Sequence, residues 1–157
     1  MTSQSPLDKL AVALATLGPV GHFPKAPGTA GSLTAAVAAP WLFLIMPLGW
    51  RILALLAILA VGAWACGRAE RVLGRKDPGC IVLDELFGQW LTLLFFPGLP
   101  IAFLLLAFVL FRAFDILKPW PVRWAETAFP DGLGVMMDDG VAGVYALGCL
   151  HLVALFV

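Results

Sequence analysis

Asp84 and Glu85 are neighbours in the chain, and so are Asp138 and Asp139. Asp115 stands between two cations, three residues after Arg112 and three before Lys118. Carboxylates repel one another and resist leaving water, so acids crowded beside apolar runs call for a positive partner. An acid inside a membrane costs roughly 2.5–3.5 kcal/mol on insertion scales, which makes function the default explanation. Magnesium suits such a set: it prefers oxygen ligands, keeps several waters, and takes a few carboxylates together with substrate phosphate. The ion would polarise a phosphoryl oxygen and lower the pKa of a bound water. Lys25, Arg112 and Lys118 could hold the remaining phosphate charge.

Four stretches carry nearly every reactive side chain. In "GHFPKAPGTAGS", residues 21–32, a proline-stiffened loop with Gly28, Thr29, Gly31 and Ser32 opens an apolar helix. Free backbone donors at such a start, with hydroxyls and Lys25 nearby, suit a phosphate, although a plain Ser or Thr N-cap accounts for the same residues. In "DPGCIVLDELFG", residues 77–88, Asp84 and Glu85 diverge by about 100° around a helix. Both could reach one cation, or one could ligate while the other acts as base; Asp77 reads as a turn cap before Pro78. In "FRAFDILKPWP", residues 111–121, Arg112 and Asp115 share a helix face, as an internal salt bridge or as part of a site with Lys118. In "GLGVMMDDGVAG", residues 132–143, small residues around the Asp pair allow close helix approach.

Other phosphate chemistries find little support. His151 falls deep in the last apolar run and reads as a packing residue, while His22 has no evident partner. Cys66, Cys80 and Cys149 are scattered in apolar settings, without a metal-binding pair or the arginine-bearing loop of thiol phosphatases. The formal net charge of zero gives no field for nucleic acid.

The elements that must position these groups are apolar. Hydrophobic residues make up 61% of the 157-residue chain and charged ones 13%, against roughly 25% charged in a soluble domain. So small a soluble protein could not hide that much apolar surface, and the chain reads as one all-α, polytopic membrane helix bundle. Five segments approach the ~20 residues needed to cross a bilayer: 32–48, 52–67, 81–96, 101–117 and 135–157. Leu7, Leu10, Leu14 and Leu17 recur at helical spacing ahead of them, predicting a short interfacial helix instead of a secretory signal. With five crossings, nine of the ten basic residues fall on one side together with all ten acids, and only Arg51 lies opposite. That asymmetry makes the charged face cytoplasmic, with the N-terminus inside.

In order and spacing the four stretches resemble the signature of bacterial phosphatidylglycerophosphatase A. That pattern runs from PxxPGTxGS through DxGxIVxDExxG and FRxFDxxKPxP to GxGxMxDDxxAG. The resemblance implies a magnesium-dependent inner-membrane enzyme that removes the terminal phosphate of phosphatidylglycerophosphate. It assigns Asp84, Glu85, Asp138 and Asp139 to the metal, with Asp115 as a further ligand or the group that activates water. Asp84, Asp115 and Asp139 are then the catalytic candidates, and Lys25, Thr29, Ser32, Arg112 and Lys118 bind phosphate. A covalent aspartyl-phosphate and direct attack by water both remain open.

Two rival classes are weaker. A phosphatidyltransferase acting on a CDP-lipid needs a longer spaced array of acids than "DDGVAG" supplies. A cation or proton transporter should carry carboxylates near midplane or at both faces.

Overall fold

The computed structural model describes residues 5–156; Val157, the last residue of the fifth expected segment, lies outside them. Among the described residues there are helices and no strands. α1 spans Pro6–Ala15, α2 Pro27–Leu42, α3 Leu48–Leu73, α4 Leu83–Thr92, α5 Ile101–Leu117, α6 Val122–Ala128 and α7 Asp131–Ala154, with a 3-10 turn at Val20–His22. Proline sets several of these starts: Pro6 and Pro27 open α1 and α2, where the missing N–H costs nothing.

α7 is the central helix, packed against α3, α4, α5 and α6, while α2 leans on α4 and α5 and α1 on α3. A close crossing joins α4 to α7. A Cβ on Gly143 would meet the Gly88 carbonyl at 2.6 Å, and a Cβ on Gly88 would meet the Asp139 carbonyl at 2.6 Å. Only glycine lets these two backbones touch. Thr92 Oγ1 bridges the crossing: it donates within α4 to the Gly88 carbonyl at 2.9 Å and across to the Gly143 carbonyl of α7 at 3.4 Å. On its other side α4 is pinned to α2, where Trp90 Nε1 donates to the Ala35 carbonyl at 2.9 Å.

Of these helices, α3 and α7 are long and apolar enough to cross a membrane. α2 and α5 fall somewhat short at 16 and 17 residues, and α4 has only 10. At about 1.5 Å per residue, α4 alone covers roughly half of a 30 Å hydrocarbon layer. The expected third segment, 81–96, therefore divides into a short helix and an apolar turn. α6 lies in what reads from sequence as a plain connection, its seven residues too few to display a helical period.

The expected N-terminal helix is present, and alanines form its packed face. Ala11 and Ala15 are fully buried against the bundle, whereas Leu7 and Leu10 remain about half exposed. The small Ala face lets α1 approach α3, where Arg68 Nε donates to Asp8 Oδ1 at 2.8 Å. Asp8 also completes a capping box with Ser5. These bonds, led by the Ser5 hydroxyl, hold the Asp8 carboxyl below its usual range.

Arg51 also departs from expectation. Its place opposite the other charges suggests an exposed loop cation, yet it is 5% exposed in the first turn of α3. Its Nε donates to the Met46 carbonyl at 2.8 Å, and Nη2 to Leu44 at 2.6 Å. Nη1 donates to Leu94 at 3.1 Å and Phe96 at 2.5 Å. One guanidinium thus satisfies carbonyls that the ends of α2 and α4 leave without helical donors.

Candidate active site

The starts of α2 and α4, the end of α5 and the part of α7 about two turns from its start surround a hollow of about 390 Å³. Pro27 and Gly28 line it from α2, Asp84 and Glu85 from α4, Arg112 and Asp115 from α5, and Asp138 and Asp139 from α7, with Lys118 at the rim. Asp84 and Glu85 occupy the first turn of α4, where the helix dipole favours negative charge. A fifth segment starting at residue 135 would put Asp138 and Asp139 in the first turn of its helix, but they lie deeper. The helix begins at Asp131, so the pair sits about two turns in, and the intervening turns shelter it.

Asp84, Glu85 and Asp139 converge. Each offers a carboxylate oxygen within 4.8 Å of those of the other two. Asp84 Oδ1, Glu85 Oε2 and Asp139 Oδ2 are buried and have no hydrogen-bond partner. Buried polar atoms are normally satisfied, and converging bare carboxylates are costly without a cation between them. Three oxygen donors of this type fit a hard divalent cation such as magnesium. The ~100° divergence of Asp84 and Glu85 does not keep them apart, since each still offers an oxygen within 4.8 Å of the other and of Asp139 on α7.

Asp138 stands beside this trio. Its Oδ2 accepts from Lys118 Nζ at 2.7 Å, and its Oδ1 accepts from the Asp139 amide at 2.9 Å. Lys118 also donates to Glu126 Oε2 of α6 at 3.0 Å. Burial works against the Lys118 ammonium, but the bonds to Asp138 and Glu126 outweigh it and hold the pKa above the usual lysine value. Lys118 has a left-handed φ of 43° where it caps α5, a conformation non-glycine residues seldom adopt. That cap turns its side chain back into the hollow.

Arg112 and Asp115 do form the ion pair their spacing suggests, through Arg112 Nη1 and Asp115 Oδ2. The same Nη1 lies 3.7 Å from Glu85 Oε1 and 3.4 Å from Ser32 Oγ. Arg112 Nε is buried without a partner, leaving a donor free. Ser32 is fully buried, donates to the Gly28 carbonyl at 2.9 Å, and so braces Arg112 from behind.

Lys25 and Thr29 are not brought to the acids. They line a separate hollow with Val20, Phe23, Ala30 and Leu33. The reason is the start of α2: it begins at Pro27 after Ala26, which has a φ of 51° and makes no side-chain cap bond. Thr29 and Ser32 therefore lie inside the helix, Thr29 faces away, and the Ser or Thr N-cap alternative is not realised.

Two contributors and one buried amide beyond the hollow escape the sequence reading. Asp77 lines the hollow, its amide donating to Glu70 Oε1 at 2.7 Å. Removal from water raises its carboxyl above the usual range, an effect Lys118 partly offsets. Glu126 anchors Lys118. Gln89, one turn beyond Glu85, is fully buried with neither side-chain polar atom bonded. Of these, only Asp77 carries a signal in the sequence, through its place in the second stretch.

The family profile of phosphatidylglycerophosphatase A matches residues 13–154, which include all four stretches. The chain belongs to the phosphatidylglycerophosphatase A family. Phosphatidylglycerophosphatase A of Escherichia coli is 38% identical over 135 residues, covering 85% of this chain and 77% of its own. Its Haemophilus influenzae namesake is 36% identical over 158 residues, covering 94% and 93%. A Bacteroides thetaiotaomicron protein, provisionally named a phosphatidylinositol-3-phosphatase, is 42% identical over 132 residues, covering 80% and 82%. No solved structure matches the chain. The resemblance drawn from the four stretches thus holds for the family as a whole.

Proposed function

We propose that this chain hydrolyses the terminal phosphate monoester of phosphatidylglycerophosphate, giving phosphatidylglycerol and inorganic phosphate. The observation that carries the reading is the buried trio of Asp84, Glu85 and Asp139, with three unpartnered oxygens beside the free Nε of Arg112. Family membership supports the substrate. The name of the Bacteroides relative points to a different lipid headgroup, but it too denotes a phosphate monoester on a lipid.

Asp84, Glu85 and Asp139 would hold magnesium, which when bound supplies positive charge to the phosphoryl oxygens and lowers the pKa of water. Arg112 binds the phosphate through its free donor, and Asp115 and Ser32 fix the guanidinium plane. Asp115 accepts the proton of the water that attacks phosphorus. As that oxygen bonds to phosphorus, the bond to the glycerol oxygen breaks, and the proton taken by Asp115 passes through solvent to the alkoxide, which leaves as the alcohol and restores the carboxylate. An ammonium has three donors and Lys118 uses two of them, on Asp138 and Glu126. The third reaches the phosphate as a fixed charge. With its pKa held high, Lys118 serves as an electrostatic clamp and not as a proton donor.

The deciding assay is phosphate release by purified protein from phosphatidylglycerophosphate in mixed micelles, with a phosphatidylinositol 3-phosphate arm beside it. Release that stops with EDTA and returns with magnesium is expected. Full turnover without divalent metal would remove the ligand role of the trio, and release from neither lipid would remove the function.

We further propose five crossings of an inner membrane, with the hollow at the cytoplasmic face. The shorter helices would cross where the bilayer thins locally. Because Arg51 is buried, the reporter for the far face is its exposed neighbour Trp50. In intact cells Trp50→Cys should react with a membrane-impermeant maleimide, and Arg123→Cys only after the cells are opened. The opposite pattern would turn the protein over.

A further inference from the structure

A second concavity of about 390 Å³ lies between α2 and α5. Leu33, Val37 and Trp41 wall it from α2, and Ile101, Leu105 and Phe108 from α5. Spacings of three and four residues put each set on one helix face, so the walls run along the helices. Its volume lies in the range of ligand pockets. We propose that this groove seats an acyl chain of the lipid whose phosphate enters the acid hollow, an inference that rests on the lipid-phosphatase reading above.

Continuity with the site selects this occupant. The helices that form the groove also line the hollow, through Pro27 and Gly28 on α2 and Arg112, Asp115 and Ile116 on α5. The floor of the groove is Ala36 and Pro40, and four residues before Ala36 on the same face is Ser32, which touches Arg112. One row of α2 therefore leads from the guanidinium to the groove floor. Ala36 is the small member of that row, and together with Pro40 it leaves space for hydrocarbon.

The depths also agree. From Gly28 to Leu33 is about 7.5 Å along α2, and from Arg112 back to Phe108 about 6 Å along α5. The two helices run in opposite directions, so both steps lead away from the charged end. The groove then continues about 12 Å from Leu33 to Trp41. A lipid with a phosphate at the tip of its headgroup needs such an offset between the reacting group and its chains.

The test uses the full chain in nanodiscs and two photoprobes, phosphatidylglycerophosphate and phosphatidylcholine, each with a diazirine halfway along one acyl chain. Peptide mapping should place the first probe on residues 33–41 and 101–108 several-fold over the second. Val37→Trp and Leu105→Trp, which fill the groove, should reduce that labelling. They should also lower the ratio of turnover on the long-chain lipid to turnover on glycerol 3-phosphate about tenfold, through KM, as expected for losing roughly one side chain of apolar contact.

Equal labelling by both probes, labelling spread around the bundle, or an unchanged turnover ratio would overturn the groove. So would groove residues that cross-link only to a second copy of the chain, since that makes the face an interface between copies. Selective labelling without phosphate release would keep the groove and sink the phosphatase. Release without selective labelling would do the reverse.

Discussion

Asp139→Asn is expected to abolish phosphate release while the bundle stays folded. Asp139 is 3% exposed, and its Oδ2 lies unpaired among the oxygens that converge with Asp84 and Glu85. Asparagine keeps the shape of the side chain and removes its charge. If the trio holds a cation, turnover should fall by at least the 10²–10⁴ attributed to a positioned acid or base (roughly). Stability should respond in a separate way. Without divalent metal the variant carries one fewer buried negative charge, so its unfolding midpoint in detergent should equal or exceed the parent's. Adding magnesium should raise the parent's midpoint and leave the variant's in place, because a ligand stabilises only the state that binds it. Near-normal turnover, or an equal magnesium shift in both proteins, would take Asp139 out of the site.

Arg51→Met is expected to give the largest loss of stability among single changes at the far end. Methionine fills much of the same space and donates nothing. The carbonyls of Leu44, Met46, Leu94 and Phe96 would all lose their donor. Hydrogen bonds to a charged group contribute about 1.5–3 kcal/mol each, and the buried surroundings of Arg51 offer no water to replace them. A net loss of about 3–5 kcal/mol follows once relaxation is allowed, comparable to breaking a buried ion pair. For a chain of this length the unfolding midpoint should fall by about 10 °C. Turnover per folded molecule should hold below that midpoint, because Arg51 is at the opposite end from the acids. A midpoint within a degree or two of the parent would show that those carbonyls do not depend on the guanidinium.

How far the sequence could be read varied with the kind of information each feature needs. α5 is found at its expected limits, Ile101–Leu117, because Pro100 precedes it and Lys118-Pro119 follows it. α4 was overestimated: an apolar run cannot distinguish a helix from the buried turn that follows Thr92. The convergence of Asp84, Glu85 and Asp139 could be anticipated from charge crowding alone, since like charges seldom gather without a reason. The partner of Asp138 could not, because Lys118 reaches it from 20 residues away through a left-handed cap. Proximity in the chain suggests phosphate for Lys25 and Thr29, but the start of α2 at Pro27 leaves them on a separate hollow. Arg51 looked like a loop charge because sequence gives a residue's position and says nothing about the carbonyls around it.

The contact of Gly88 with Gly143 has a mechanical consequence. Two backbones in direct touch leave no side chain to swing aside, so α4 and α7 behave as a single fixed jaw that carries all three converging acids. Facing that jaw are α2 and α5, which an apolar cleft parts and which meet α4 through the side chains of Trp90 and Phe111, groups that can shift where two touching backbones cannot. Rigidity is concentrated where ångström tolerances govern reactivity, and compliance is left on the flank that meets oil.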